Sequence, residues 1–212
     1  MKILAIDTAF RQCSVALAID NKQVAFLQSQ ELSKQSEELF SFINQILKEQ
    51  KLTFADLAVI AVNIGPGSFT GVRIGVAAAK GLKLVLPNIK LIGVSSLELL
   101  ASQAKDGFNR IIAVLEAGQE EYYVQVFDQN LDTISESRCC DLFELIQIFS
   151  SHTEAAIISG CHLAYDGKYV MGETNAETVL NNAYGKILSV NELDNINPFY
   201  IKSPRISMPA KK

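Results

Sequence analysis

The sequence predicts an α/β fold of two lobes, each a mixed sheet with helices. Over residues 2–104, β-rich and helical runs alternate as strand, strand, strand, helix, strand, helix, strand, helix. Beyond the polar stretch KDGFNR (105–110) the same order begins again. The chain is also long enough for two cores: at 212 residues, 49% apolar, such a length buries roughly 70% of its unfolded surface. The repeat is one of element order and not of sequence. It divides the chain into a first lobe, 1–104, joined by the tail 191–212, and a second lobe, 105–190.

Each element has a local reason. KILAIDTA (2–9), CSVALAID (13–20) and QVAFLQSQ (23–30) read as a meander, with Asp20 and Asn21 placed to turn the second run into the third. In 33–50, Leu39, Phe42, Ile43, Ile46 and Leu47 recur at helical spacing behind a cap at Ser33 or Ser36. LAVIAVNI (57–64) is short, continuous and rich in Val and Ile, the pattern of a strand buried on both faces. A helix over 68–86 and the strand KLIGVS (90–95) follow, and Ser95 with Glu98 forms a capping box for a helix through Ala104. In the second half, IIAVLEA (111–117), EYYVQVFDQ (121–129) and a weaker run at 132–140 repeat the meander. Asp141 and Glu144 open a helix, AAIISG (155–160) is a strand, and Thr174 with Glu177 caps a last helix to about Leu188.

Composition excludes several functions. A formal charge of −4 leaves no basic field for non-specific nucleic-acid binding. The start MKILAIDTAF is too short and too early interrupted for a leader or a membrane span, so a cytoplasmic chain without membrane contact is expected. Cys13, Cys139, Cys140 and Cys161 lack CxxC spacing, which points to reduced thiols and no metal site. Strand alternation turns Cys139 and Cys140 to opposite faces. His152 and His162 show no HExxH spacing. No catalytic residue is assigned.

The stretch NIGPGSFTGVRIG (63–75) holds four of the twelve glycines. Glycines before a helix suggest an anion cradle, yet the P-loop lysine is missing and Pro66 fills the middle of the dinucleotide pattern. Gly71 and Gly75, with Ala78, Ala79 and Gly81, instead make a small-residue stripe that lets another helix approach. Phe40 beside Leu39, Ile43 and Ile46 gives the first helix more than one apolar face. The expected partner-binding set is therefore Leu39, Phe40, Ile43, Ile46, Gly71, Gly75, Ala78, Ala79 and Leu82.

Two lobes that each open on a β-meander resemble the actin, Hsp70 and sugar-kinase superfamily, where a nucleotide lies between the lobes. That resemblance makes IDTAFRQCSVAL (6–17) a phosphate hairpin in which Asp7 and Thr8 fit, whereas residues 9–12 bring neither glycine nor hydroxyl. The second hairpin, LEAGQEEYYVQV (115–126), offers Gly118 but carries Glu116, Glu120 and Glu121 where a phosphate would arrive. Both cradles are damaged, and Asp7 and Thr8 read as a vestigial nucleotide site or as a structural hairpin.

MKILAIDTA…CSVALAI, NIGPGSFTGVRIGVAAAKGL (63–82), GVSSLELLA (93–101) and PFYIK (198–202) together resemble the TsaB (YeaZ) family. The resemblance implies a noncatalytic, degenerate paralogue of TsaD that pairs with TsaD. With TsaE, that assembly places threonylcarbamoyl on the adenosine beside the anticodon of tRNAs reading codons that begin with A. It also implies that the helices at 33–50 and 68–86 join a helical bundle with TsaD, or pair with a second copy of the chain. No tightly bound cofactor is implied beyond a weak ATP or ADP contact at the complex interface, and tRNA is met indirectly. The alternative is an ATP-binding enzyme of the same superfamily or an M22-type metallopeptidase. Gln35, Ser36 and Glu37 stand where the family carries His-Ser-Glu, and Glu116, Ala117 and Gly118 where it carries Asp-Ala-Arg.

Overall fold

In the computed structural model, residues 1–10, 12–31, 34–104, 107–189 and 196–202 are described. Strands β1 (Lys2–Asp7), β2 (Ser14–Ile19) and β3 (Lys22–Gln28) form the antiparallel meander, and β4 (Val59–Asn63) and β5 (Lys90–Val94) join parallel to it. The sheet order is β3-β2-β1-β4-β5. A second sheet is built from β6 (Arg110–Gly118), β7 (Glu121–Asp128), β8 (Arg138–Asp141), β9 (Ala156–Ser159) and β10 (Val170–Met171), in the order β10-β9-β6-β7-β8. Read from the opposite edge, its pairings repeat those of the first sheet: two antiparallel neighbours, then parallel ones. The repeated element order of the sequence is thus a repeated sheet.

Helices α1 (Gln35–Glu49) and α2 (Phe69–Val85) cover one face of the first sheet. There Leu39, Ile43 and Ile46 of α1 and Val72, Val76 and Ala79 of α2 pack on Leu4, Ile6, Val15 and Leu17. The alternate strand residues Ile3, Ala5, Ala16 and Ala18 face the other way and receive Ala176, Val179, Leu180 and Ala183 of α5 (Ala176–Ser189). The small alanines let this helix lie close to the sheet. In the second lobe α4 (Leu142–Ser151) packs Leu145, Ile148 and Phe149 on one face, while α3 (Ser96–Ala101) sets Leu97 and Leu100 against Ile111, Ala113 and Ile158 on the other.

Several expectations are corrected here. Helix α5 belongs by its packing to the first sheet, not to the second lobe, because its apolar stripe meets Ile3 and Ala16. Its cap is Asn175, whose Oδ1 accepts the Glu177 and Thr178 N–H groups at 3.0 Å, not Thr174. Lys34 occupies the α1 cap position without a side-chain bond and Ser36 lies inside that helix, while Ser33 falls outside the described residues. Helix α3 ends at Ala101, short of Ala104. The caps at Ser68, Ser95 and Asp141 are in place, accepting the N–H groups of Gly71 at 3.2 Å, Glu98 at 3.1 Å and Glu144 at 2.8 Å. Arg205, Lys211 and Lys212 of the tail lie outside the described residues.

Candidate functional site: the interlobe cleft and the face of helix 2

The first hairpin turn is folded under the glycine-rich loop. The Ser68 N–H donates to Ala9 O at 2.7 Å, and Thr8 Oγ1 donates to Gly71 O at 2.7 Å. A Cβ added at Gly67 would lie 2.4 Å from Ala9 O, one at Gly71 2.0 Å from Thr8 O, and one at Gly75 2.6 Å from Thr8 Oγ1. The glycines are therefore required for the hairpin of the same chain to reach the helix. A backbone carbonyl occupies the start of α2, where an anion would otherwise sit.

This changes the reading of the partner-binding set. Leu39, Ile43, Ile46, Gly71, Gly75, Ala78 and Ala79 are all buried, and Leu82 packs against the same core. The seven buried residues hold α1 and α2 onto their own sheet and present no side chain to a partner while the lobe is intact, whereas Leu82 is only partly covered. The outward side is a different group: Phe40 on α1, 45% exposed, and Arg73, Ala77, Lys80, Gly81, Leu84 and Val85 on α2, with Leu84 86% and Val85 77% exposed. The stripe packs inward and not outward, since small residues serve a close strand as well as a close helix.

Asp7, at the end of β1, is buried and lines a cleft of about 300 Å³ with Phe10, Gln12, Gly160, Gly172, Glu173 and Thr174. Burial pushes its carboxyl up to about 6, against the lowering effect of hydrogen bonds from Asn63, Ala9 and Thr174. Asn63 Nδ2 donates to Asp7 Oδ2 at 3.0 Å, and Asn63 Oδ1 accepts from the Gly65 N–H at 2.9 Å and from Ser96 Oγ at 2.8 Å. This buried chain ties β1, β4 and α3 together. Thr8 is fully buried beneath α2 and does not line the cleft. Among the described residues no lysine or arginine lines it, and Asp7 and Glu173 bring carboxylates, so the described lining does not suit a triphosphate. Among the described residues no group of three His, Cys, Asp or Glu is placed to hold a metal ion.

At the second hairpin, the turn residues Gly118, Gln119 and Glu120 all have positive φ. Of the carboxylates expected there, Glu121 is paired with Lys202. The tail brings that lysine across α2, with Arg73 Nε donating to Tyr200 Oη at 2.9 Å and the guanidinium 3.6 Å from the Phe69 ring centroid. Cys140 is buried in the second core, whereas Cys139 is half-buried and shares the opposite face with Tyr123 and Glu121. Burial holds the Cys140 thiol up at about 11 and the Cys13 thiol at about 12. The bonds of Asn63 to Asp7, of Ser96 to Asn63 and of Lys202 to Glu121 escaped the sequence reading, because each partner lies far away in the chain.

The geometry defines a two-lobed α/β fold in which the first hairpin turn is packed under the glycine-rich loop and the second pairs Glu121 with Lys202. Residues 30–157 match the family model described as TsaD, tRNA N6-adenosine threonylcarbamoyltransferase. Over 127 residues the chain is 39% identical to the tRNA threonylcarbamoyladenosine biosynthesis protein TsaB of Escherichia coli (strain K12), covering 58% of this chain and 53% of that one. The TsaB of Bacillus subtilis (strain 168) is 33% identical over 127 residues, 60% of this chain and 55% of its own. The matched stretch thus spans about half the length of these curated relatives. A solved Pseudomonas aeruginosa structure described as similar to peptidase YEAZ superposes with a TM-score of 0.79 over 95% of this chain and 99% of that one, at 22% identity. YeaZ from the same organism gives 0.74 over 94% and 99%, at 21% identity. At such identity these two show the fold alone. The chain belongs to the family of that TsaD model, and these curated relatives are TsaB proteins. No helix among the described residues is long and apolar enough to cross a membrane.

Proposed function

We propose that this chain is a noncatalytic subunit in the formation of threonylcarbamoyladenosine on tRNA, and that it docks a TsaD-type protein on the outer face of α1 and α2. The observation that carries the reading is the pair Leu84 and Val85, two large apolar side chains more than three-quarters exposed on a helix whose inner face is fully engaged. Such side chains, continued by Ala77, Gly81 and Phe40, favour burial against another protein. TsaE joins as a further component, tRNA is met through the assembly, and a second copy of this chain competes for the same face. Any ATP or ADP is held at the interface with the partner, because the described lining of this chain's cleft brings the carboxylates of Asp7 and Glu173. The filled hairpins support a scaffold over an ATPase or a metallopeptidase.

The test is co-purification with TsaD and reconstitution of tRNA modification with the chain omitted and restored. Leu84→Glu with Val85→Glu is expected to leave the chain folded, to abolish the complex and to stop restoration. Retained complex formation by the folded variant would sink the docking face.

A further inference from the structure

Seven residues near the end of the described chain run from one core to the other. Ile196 is buried in the first-lobe core beside Ile64 and Leu91. Lys80 Nζ donates to Asn197 Oδ1 at 2.9 Å, and the Phe199 N–H donates to Ile64 O at 2.7 Å. Gly65 lets this backbone pass, since a Cβ there would stand 2.8 Å from Phe199 O. The Tyr200 ring lies 5.0 Å from that of Phe69 and its hydroxyl accepts from Arg73. Ile201 then packs against the second-lobe core that holds Leu115 and Phe127, and Lys202 closes on Glu121 of β7.

We propose that residues 196–202 form an interlobe strap, closed by Lys202 on Glu121, that fixes the second hairpin beside α2. Three anchors lie on α2 itself, at Phe69, Arg73 and Lys80, so the strap couples the position of the second lobe to the flank of the docking helix. A protein seated on α2 therefore meets both lobes as one body. This last step rests on the docking reading above; the strap itself does not.

Charge reversal and swap test the clasp in the full chain. Lys202→Glu or Glu121→Lys alone is expected to speed amide hydrogen exchange over 198–202 by about two- to fivefold, the range of a partly exposed ion pair. Exchange within β1 and β4 stays unchanged, and the double swap restores the slow rates. Unchanged exchange in both single variants, or a swap that restores nothing, overturns the strap. Should a reversal unfold the chain, Lys202→Gln reads the same loss without a new charge, and unaltered exchange there overturns it equally. In mixtures with TsaD, Glu121→Lys is expected to weaken the complex and the swap to recover it. Leu84→Glu separates the two ideas: full affinity in that variant removes the docking reading, while the exchange of the free chain still decides the strap.

Discussion

The two sides of helix α2 use small and apolar residues for opposite ends. On the inner side, Gly71 and Gly75 admit Thr8 of the first hairpin to van der Waals distance, so that a methyl group has nowhere to go. On the outer side, Gly81 has no heavy atom within 4 Å of a built Cβ, and Leu84 and Val85 stand in solvent. One helix thus carries a scaffold face and an unpartnered face about half a turn apart. The same residue type has contrary meaning on each, and substitution separates them.

The largest effect belongs to the inner face. Gly75→Leu would drive a side chain into Thr8 Oγ1 at 2.6 Å and Val62 Cγ2 at 3.2 Å. Overpacking of this kind costs about 3 kcal/mol or more, so the variant is expected to lose its cooperative urea transition at room temperature. A Gly75→Leu protein of ordinary stability would show that the hairpin yields and that the inner face is not the rigid one.

Beneath that face, Asp7 gives the next effect. Its folded-state carboxyl, raised to about 6 by burial, exceeds its ordinary 3.8. The protonated form is therefore preferred in the fold: its contribution to stability is complete below pH 3.8 and is lost as pH rises through about 6. The loss integrates to about 3 kcal/mol as an order of magnitude. Denaturant unfolding of wild type and Asp7→Asn between pH 3.5 and 8 should show a difference that shifts in favour of the variant as pH rises. Parallel profiles would mean that the Asn63 and Ala9 hydrogen bonds hold the carboxylate without cost.

Much of the frame was legible in the chain because it rests on local signals. The run at 57–64 is uninterrupted because β4 is buried on both faces, and Ser95 and Asp141 cap where a hydroxyl or carboxylate precedes an apolar run. Thr174 and Asn175 are both competent caps, and only tertiary structure chooses: the Ala176 N–H is taken by Ser14 Oγ at 2.8 Å, which seats α5 one residue later. That contact, spanning 162 positions, is also why α5 belongs to the first sheet. Helix α2 was legible in the sequence, but not what its small-residue face packs against. Periodicity tells which residues of α2 stand together, and Gly71, Gly75 and Ala79 do stand together; it does not tell whether a strand or a partner lies opposite. The motifs holding Asn63 and Lys202 were visible but their bonds were not, since a polar side chain at a strand end or in a tail acquires its role from Ser96 or Glu121.

The smallest effect is the sharpest separation of the two faces. Gly81→Ala places a methyl group in open space within the body of α2, where alanine is the better helix former by about 0.5–1 kcal/mol. The variant is therefore expected to be slightly more stable than wild type by urea denaturation, the reverse in sign of Gly71→Ala, whose Cβ would lie 2.0 Å from Thr8 O. Both changes are the same chemistry on the same helix, so propensity cancels between them and the difference reports packing alone. If both destabilise, Gly81 is not in open space in solution and the outer face is already covered, as it would be in a pair of copies. Repeating the comparison across protein concentrations then distinguishes such a pair from a single chain, because only a pair makes the Gly81→Ala loss depend on concentration.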